Sequence, residues 1–415
     1  MRLKPIILSG NVNVPASKSD GQRATLAAGL AKGISTLVNL GRSDDELQML
    51  ENIVSFGAEI NYEEGVQIKG TKAFPEQGNW NLGESGLGFR LMAAQCAVHK
   101  GDFIISGELT LLGRPMPFFK AYFNTPTSKA FDNDSLLPIK LNGELNEEKL
   151  VVDGSQSSQY ISGLLMALPL SKSETRLVVK NLASSPYVEM TLDTLKEFGV
   201  EIKHDDLNEF LIPGNQVYQP THYTVESDWS SASCWLVASA LGQEIVLHGL
   251  KLDSLQADRA ILIALKDANC KINYSDSGLS IDGSKRTPID FNATDCPDLF
   301  PALVLYAAFT DGESKIYGIN RLKDKESDRA QTLYQEYSKL GVKMILDHSK
   351  DCMTIFGGVT VKNFELTSHG DHRIAMSLGI ASTLLKEEIT LANPSCVSKS
   401  YPQFWEHMDS LKAND

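Results

Sequence analysis

The stretch "PASKSDGQRA" places Ser17, Lys18, Ser19 and Arg23 at the opening of a run of small apolar residues. A hydroxyl ahead of a helix caps it, and the unpaired N–H groups of a helix start attract anions. Two cations beside such a start point past simple capping to an anion site. The pairing recurs: Arg90 follows Ser85 in "GESGLGFR", and Arg373 follows Asp371 in "HGDHR". A second concentration, "RLKDKESDRA" (321–330), interleaves Lys325 and Arg329 with Glu326. As a plain helix this segment is a solvated face with a Glu326–Arg329 surface pair, and taken alone it does not separate that face from a binding site. A calcium loop through Asp324, Glu326 and Asp328 fails, because Arg329 stands where the loop requires glycine. The two histidines of "HGDHR" lack a third ligand nearby and make a weak metal signal.

Several chemistries are disfavoured. The glycines of "GESGLG" (83–88) match neither a dinucleotide fingerprint nor a P-loop, and no G-x-S-x-G elbow is present. Six scattered cysteines form no C-x-x-C pair and fit reduced thiols. A formal charge of -13 disfavours binding to a polyanion, so anions must be held in a local basic pocket on an acidic background. No apolar run reaches the roughly 18–20 residues of a membrane span, and "MRLKPIILSG" lacks the features of a signal peptide. A cytoplasmic location is expected, with no membrane or nucleic-acid partner.

The elements that position these residues follow a rhythm. A small or polar loop opens a helix rich in Ala, Leu and Ser at Ser17, Ser85, Ser157, Ser230, Asp298 and Asp371, at spacings of 68, 72, 73, 68 and 73 residues. A second mark, a helix end running into a strand, falls at "SFGAEI" (55–60), "EFGVEI" (197–202), "DANCKI" (267–272) and "KLGVKM" (339–344), with a degenerate copy expected at "NTPTSKAF" (124–131). Strand-like stretches such as "GDFIISG", "TRLVVKNL", "QEIVLHGL" and "ESKIYGI" lie between them. Six units of alternating strand and helix, about 70 residues each, suggest two domains of three. The last unit ends in a helix, so the N-terminal "RLKPIILSGNVNV" is expected to supply its missing strand. The small residues of the repeated helices suit either plain helix formation or a tightly packed buried bundle.

In chain order, "PASKSDGQRA", "GESGLGFR", "LLGRPM", "DGSQSSQY", "SSPYVEMTL", "ESDWSSAS", "DCPDLFPAL", "KDKESDRA", "HGDHRIAM" and "CVSKSYPQF" resemble the enolpyruvyl transferase family, most closely its branch acting on shikimate 3-phosphate. The resemblance implies an α/β fold: a two-domain inside-out α/β barrel, each domain three βαβαββ-type repeats, with the active site in the interdomain cleft. Residues 17–225 would form the first domain, and 1–16 plus 226–415 the second. It also implies transfer of the enolpyruvyl group of phosphoenolpyruvate to the 5-hydroxyl of shikimate 3-phosphate through a tetrahedral ketal, releasing phosphate. No cofactor or metal is implied, and a monomer is expected.

By motif match, shikimate 3-phosphate would be held by Lys18, Ser19, Arg23, Ser157, Ser158, Gln159, Ser184, Tyr187, Asp298 and Lys325. Phosphoenolpyruvate would be held by Lys18, Gly86, Arg114, Gln159, Glu326, Arg329, Arg373 and Lys399. Asp298 and Glu326 match the family's acid–base pair, assisted by Lys18 and His372. Gly21, Glu84, Leu87 and Leu91 depart from common family residues, and Arg321 stands where some members place Asn. A carboxylate at 84 would repel an anion unless it points away or pairs with Arg90 or Arg114. Two alternatives remain: a non-catalytic phosphate-ligand binder on the same scaffold, and the sister branch acting on UDP-N-acetylglucosamine. A binder has no need of an acid–base pair, and Leu109 stands where the sister branch carries Cys.

Overall fold

A computed structural model describes residues 1–63, 65–125, 128–130 and 137–413. Two compact units divide the chain: Ala16–Val225, and Met1–Pro15 with Glu226–Asp415.

Within Ala16–Val225, three four-stranded sheets share one topology. A central strand has a parallel neighbour on one side and an antiparallel hairpin on the other. Thr175–Lys180 runs parallel to Lys149–Asp153 and antiparallel to Glu209–Ile212, which pairs with Lys203–Asp205. Asp102–Ser106 does the same with Gln77–Asn81, Ile139–Gly143 and Ser128–Ala130. Ile34–Val38 pairs with Val66–Lys69, and its parallel neighbour is His222–Thr224, from the far end of the unit. The last strand thus returns to the first sheet and closes the unit on itself.

The other unit repeats the pattern around Glu244–His248 and Glu313–Tyr317. Its third sheet has three strands: Glu365–Thr367 runs parallel to Ile389–Ala392, and Arg2–Leu3 pairs antiparallel on its other side. The N-terminal segment therefore gives two strands where one was expected, because Ser9–Asn13 also enters the sheet of Glu244–His248.

Six helices rich in small residues stand inside these sheets, three to a unit. Every residue of Gly86–Val98, Trp229–Ala240, Phe300–Ala308 and His372–Thr383 is buried, which a surface helix with one polar face cannot satisfy. Gly163 shows why small residues are required here. A Cβ there would lie 2.6 Å from the Arg90 carbonyl oxygen and 3.2 Å from Ala94 Cβ, so Ser158–Ala167 packs on Gly86–Val98 nearly backbone to backbone. The buried-bundle alternative holds. The outer helices Asp44–Ser55, Ser185–Glu197 and Arg329–Lys339 bury one stripe each. The expected helix ends at Gly57, Gly199, Asn269 and Gly341 all have left-handed backbone. The degenerate copy near 128 lies partly outside the described residues, at 126–127 and 131.

Two helix starts differ from expectation. The cap at "SDWSS" is Asp228, whose side chain accepts from the Ser231 N–H; Ser230 instead donates to Asp258. Asp298 lies in a short 3-10 turn, Pro297–Leu299, ahead of the helix Phe300–Ala308. Residues 323–328 are not a helix either: Asp328 caps a helix that begins at Arg329.

Candidate active site

In the Ala16–Val225 unit, Ser17, Ser85 and Ser157 cap three of the inner helices. Lys18, at the first position of its helix, reaches Asp45 of the outer helix Asp44–Ser55 at 2.8 Å. Arg23, one turn on, is 1% exposed. Its guanidinium donates to Thr191 Oγ1 (2.7 Å), Ser162 Oγ (3.1 Å), and the carbonyls of Ser19 (2.7 Å) and Tyr187 (3.2 Å). Burial pushes its pKa down to about 10, against the charge of Asp20, so it stays cationic at neutral pH. Arg23 therefore ties the turns of Ser19 and Tyr187 together. Tyr187 follows Ser184, a buried residue with left-handed backbone that precedes the helix Ser185–Glu197.

Gly86, Arg90, Arg114 and Gln159 converge. Arg90 Nη1 donates to the Gly86 carbonyl at 2.9 Å and to Gln159 Oε1 at 2.7 Å, and its guanidinium lies over the Tyr160 ring. A Cβ on Gly86 would fall 2.8 Å from Arg90 Nη1 and 3.0 Å from Arg114 Nη1. Glycine leaves room for two guanidinium groups to close on its backbone, which a Cβ would push aside. Ser157 accepts from the Gln159 N–H, and Ser158 is buried beside it. Glu84 accepts from the Thr110 N–H (3.1 Å) and hydroxyl (2.5 Å), and Thr110 Oγ1 accepts from Arg114 Nη2 at 3.3 Å. The carboxylate is thus linked to Arg114 through a hydroxyl.

In the other unit, Arg329 organises the charges. Fully buried, it donates to Asp298 (2.7 Å), Glu326 (2.8 Å) and Asp371 (2.9 Å). Lys325 and Arg373 each lie 3.4 Å from Asp298, and Lys399 lies 3.7 Å from Glu326. Four cations thus surround three carboxylates. Burial alone would raise the Asp298 carboxyl, but Lys325, Arg373 and Arg329 hold it well below the usual carboxylate range. Burial lowers Lys325 in turn. Asp371 has a second task as cap of the helix His372–Thr383, accepting from the Arg373 N–H at 3.0 Å. His372, buried at the first position of that helix, lies next to Arg373 in the chain. His369, the other histidine of "HGDHR", is 2.8 Å from Glu336, away from the Arg329 cluster in its bonding.

Removing one member of a buried ion pair typically costs about 3–5 kcal/mol through the charge left behind. Substitutions at Arg329 will therefore lower stability whatever else they change. Sequence reasoning missed Asp45, Asp371 in its pairing role, Thr191 and Thr110. Their partners lie 27, 42, 168 and 4 residues away in the chain. No local pattern marks the first three, and a lone Thr four residues before an Arg carries little signal.

The family model for EPSP synthase (3-phosphoshikimate 1-carboxyvinyltransferase) matches residues 4–408. A 3-phosphoshikimate 1-carboxyvinyltransferase of Clostridium beijerinckii is 37% identical over 425 residues, covering 99% of this chain and 97% of the relative. One from Clostridium perfringens is 36% identical over 414 residues, with the same coverage of each. Among solved structures, an EPSP synthase of Acinetobacter baumannii superposes with a TM-score of 0.79 at 23% identity, over 99% of this chain and 98% of that one. That likeness establishes the two-domain α/β fold.

Proposed function

The chain belongs to the EPSP synthase family, and from that premise we propose how its two sets of site residues divide the work of the reaction. The enzyme transfers the enolpyruvyl group of phosphoenolpyruvate to shikimate 3-phosphate, a step of the shikimate pathway toward chorismate and the aromatic amino acids. Lys18, Ser19, Arg23, Ser157, Ser158, Gln159, Ser184, Tyr187, Asp298 and Lys325 hold shikimate 3-phosphate. Lys18, Gly86, Arg114, Gln159, Glu326, Arg329, Arg373 and Lys399 hold phosphoenolpyruvate. The observation that carries this assignment is the convergence of Lys325, Arg329, Arg373 and Lys399 on Asp298 and Glu326, which suits substrates bearing both phosphate and carboxylate.

The 5-hydroxyl oxygen attacks C2 of phosphoenolpyruvate. Asp298, ionised at neutral pH, takes the hydroxyl proton, and Glu326 gives a proton to the methylene carbon, which becomes a methyl group. Lys18 and the arginines stabilise charge on the tetrahedral ketal. Elimination then breaks the C2–O bond to phosphate: the Glu326 carboxylate takes a proton back from the methyl group, restoring the double bond, and Asp298 returns its proton to the departing phosphate, with Lys18 and His372 assisting. Substrate binding sharpens the base. Anions that draw Arg373 and Arg329 away from Asp298 weaken two of the three charges that depress its pKa, Lys325 being the strongest of them, so its proton affinity rises. One chain supplies every acid, base and cation required, which supports a monomer, and the biosynthetic role supports a cytoplasmic location.

The test is phosphate release with shikimate 3-phosphate and phosphoenolpyruvate, without added metal and beside a UDP-N-acetylglucosamine control. Release with the shikimate substrate alone is expected. Release with the UDP-sugar alone, or with neither, would overturn the proposal.

A further inference from the structure

The loops 81–86 and 107–114 are clasped together. Glu108 N–H donates to the Gly83 carbonyl (2.7 Å), and the Asn81 amide donates to the Glu108 carboxylate (2.5 Å). Glu84 reaches across to Thr110, accepting from its N–H and its hydroxyl. Between them Leu109 is 73% exposed and has a left-handed backbone (φ 43°), a conformation costly for a branched side chain and kept only where its surroundings impose it. The clasp ends at Arg114, 7% exposed, which donates to Thr110 Oγ1 and lies 3.0 Å from where a Gly86 Cβ would stand.

The polarity of this chain is fixed by chemistry. A guanidinium only donates, so the single Thr110 hydroxyl proton goes to Glu84 and not to Arg114. That leaves Thr110 Oγ1 presenting lone pairs alone to Arg114. A neutral carboxamide at 84 carries donors as well, and can turn the Thr110 proton toward Arg114, where it repels. We propose that Glu84 is a positioning residue that acts through the Thr110 hydroxyl to hold Arg114 in place for the phosphoenolpyruvate anion. The carboxylate that a repulsion argument would count against substrate binding thereby supports it. This inference rests on the assignment of Arg114 to phosphoenolpyruvate made above.

The experiment measures kcat and KM for both substrates in Thr110→Val, Thr110→Ser, Glu84→Gln and Arg114→Lys, with thermal unfolding as a fold control. Thr110→Val keeps the shape and removes the hydroxyl; Thr110→Ser restores it. Loss of one hydrogen bond to a charged group, felt equally in ground and transition states, should raise KM for phosphoenolpyruvate about tenfold with kcat little changed. KM for shikimate 3-phosphate should stay at the wild-type value. Glu84→Gln should follow Thr110→Val, a variant carrying both of these changes should add nothing further, and Thr110→Ser should return KM toward wild type. If Arg114→Lys raises this KM while Thr110→Val and Glu84→Gln do not, the relay is wrong and the Arg114 assignment stands. If Arg114→Lys leaves it unchanged, the assignment itself fails. Should Thr110→Val not fold, Glu84→Gln alone decides, since that side chain is half-buried and keeps its size.

Discussion

At Arg329 a single guanidinium meets Asp298, Glu326 and Asp371, so the proposed base, the proposed acid and a helix cap share one buried cation. Asp298 is also approached by the Lys325 ammonium and the Arg373 guanidinium, which keeps it free of its proton. Asp298→Asn keeps the shape and removes the proton acceptor. It should lower kcat by about 10²- to 10⁴-fold, the usual size of a general-base effect. Calorimetric binding of shikimate 3-phosphate should survive, and near wild-type turnover would remove Asp298 from the base role. The residue types of this cluster were legible in "KDKESDRA" and "HGDHR". Their pairing was not, because Arg329 meets Asp298 and Asp371 across 31 and 42 residues of chain. The segment alone fits a solvated helix equally well until tertiary contacts bury it.

The helix start at Asp228 shows the same limit among elements. "SDWSS" offers several residues of capping type, and the sequence has no way to rank them. Asp228 takes the cap, and Ser230 turns to Asp258 in the turn Ala257–Ala260. Burial, reinforced by the charge of Asp298 and opposed by Arg373, pushes the Asp258 carboxyl up to about 7. Because its folded pKa is raised, Asp258 contributes stability that is complete below the ordinary carboxylate range and is lost as pH rises through about 7. Asp258→Asn should therefore raise Tm more at pH 8 than at pH 5. Equal shifts at both values would show that this carboxyl does not titrate in that window. What the sequence did reveal among elements is periodic and local: the left-handed helix ends and the six small-residue helices, whose patterns depend on nearest neighbours in the chain.

The whole molecule adds a topological constraint. Strand Ser9–Asn13 belongs to the sheet of Glu244–His248, and Ser9 N–H donates to the Leu411 carbonyl at 2.8 Å, so the two ends of the chain lie side by side within one unit. A polypeptide of residues 226–413 joined by a short Gly/Ser linker to residues 1–15 should fold and melt cooperatively. Residues 226–413 alone should not, since two sheets then lose a strand each. A cooperative melt of the shorter piece with unchanged midpoint would show that the N-terminal segment contributes nothing to folding.

Such a thread also sets a schedule at the ribosome. Ser9 must wait for Glu244, made 235 residues later, and at about 5–20 residues per second that is ~10–50 s with its strand unpaired. Every residue of Ala16–Val225 has been joined by then, so the unit begun second can be finished first. Within the unit begun first, residues 1–15 are the ones a nascent-chain chaperone has longest to meet.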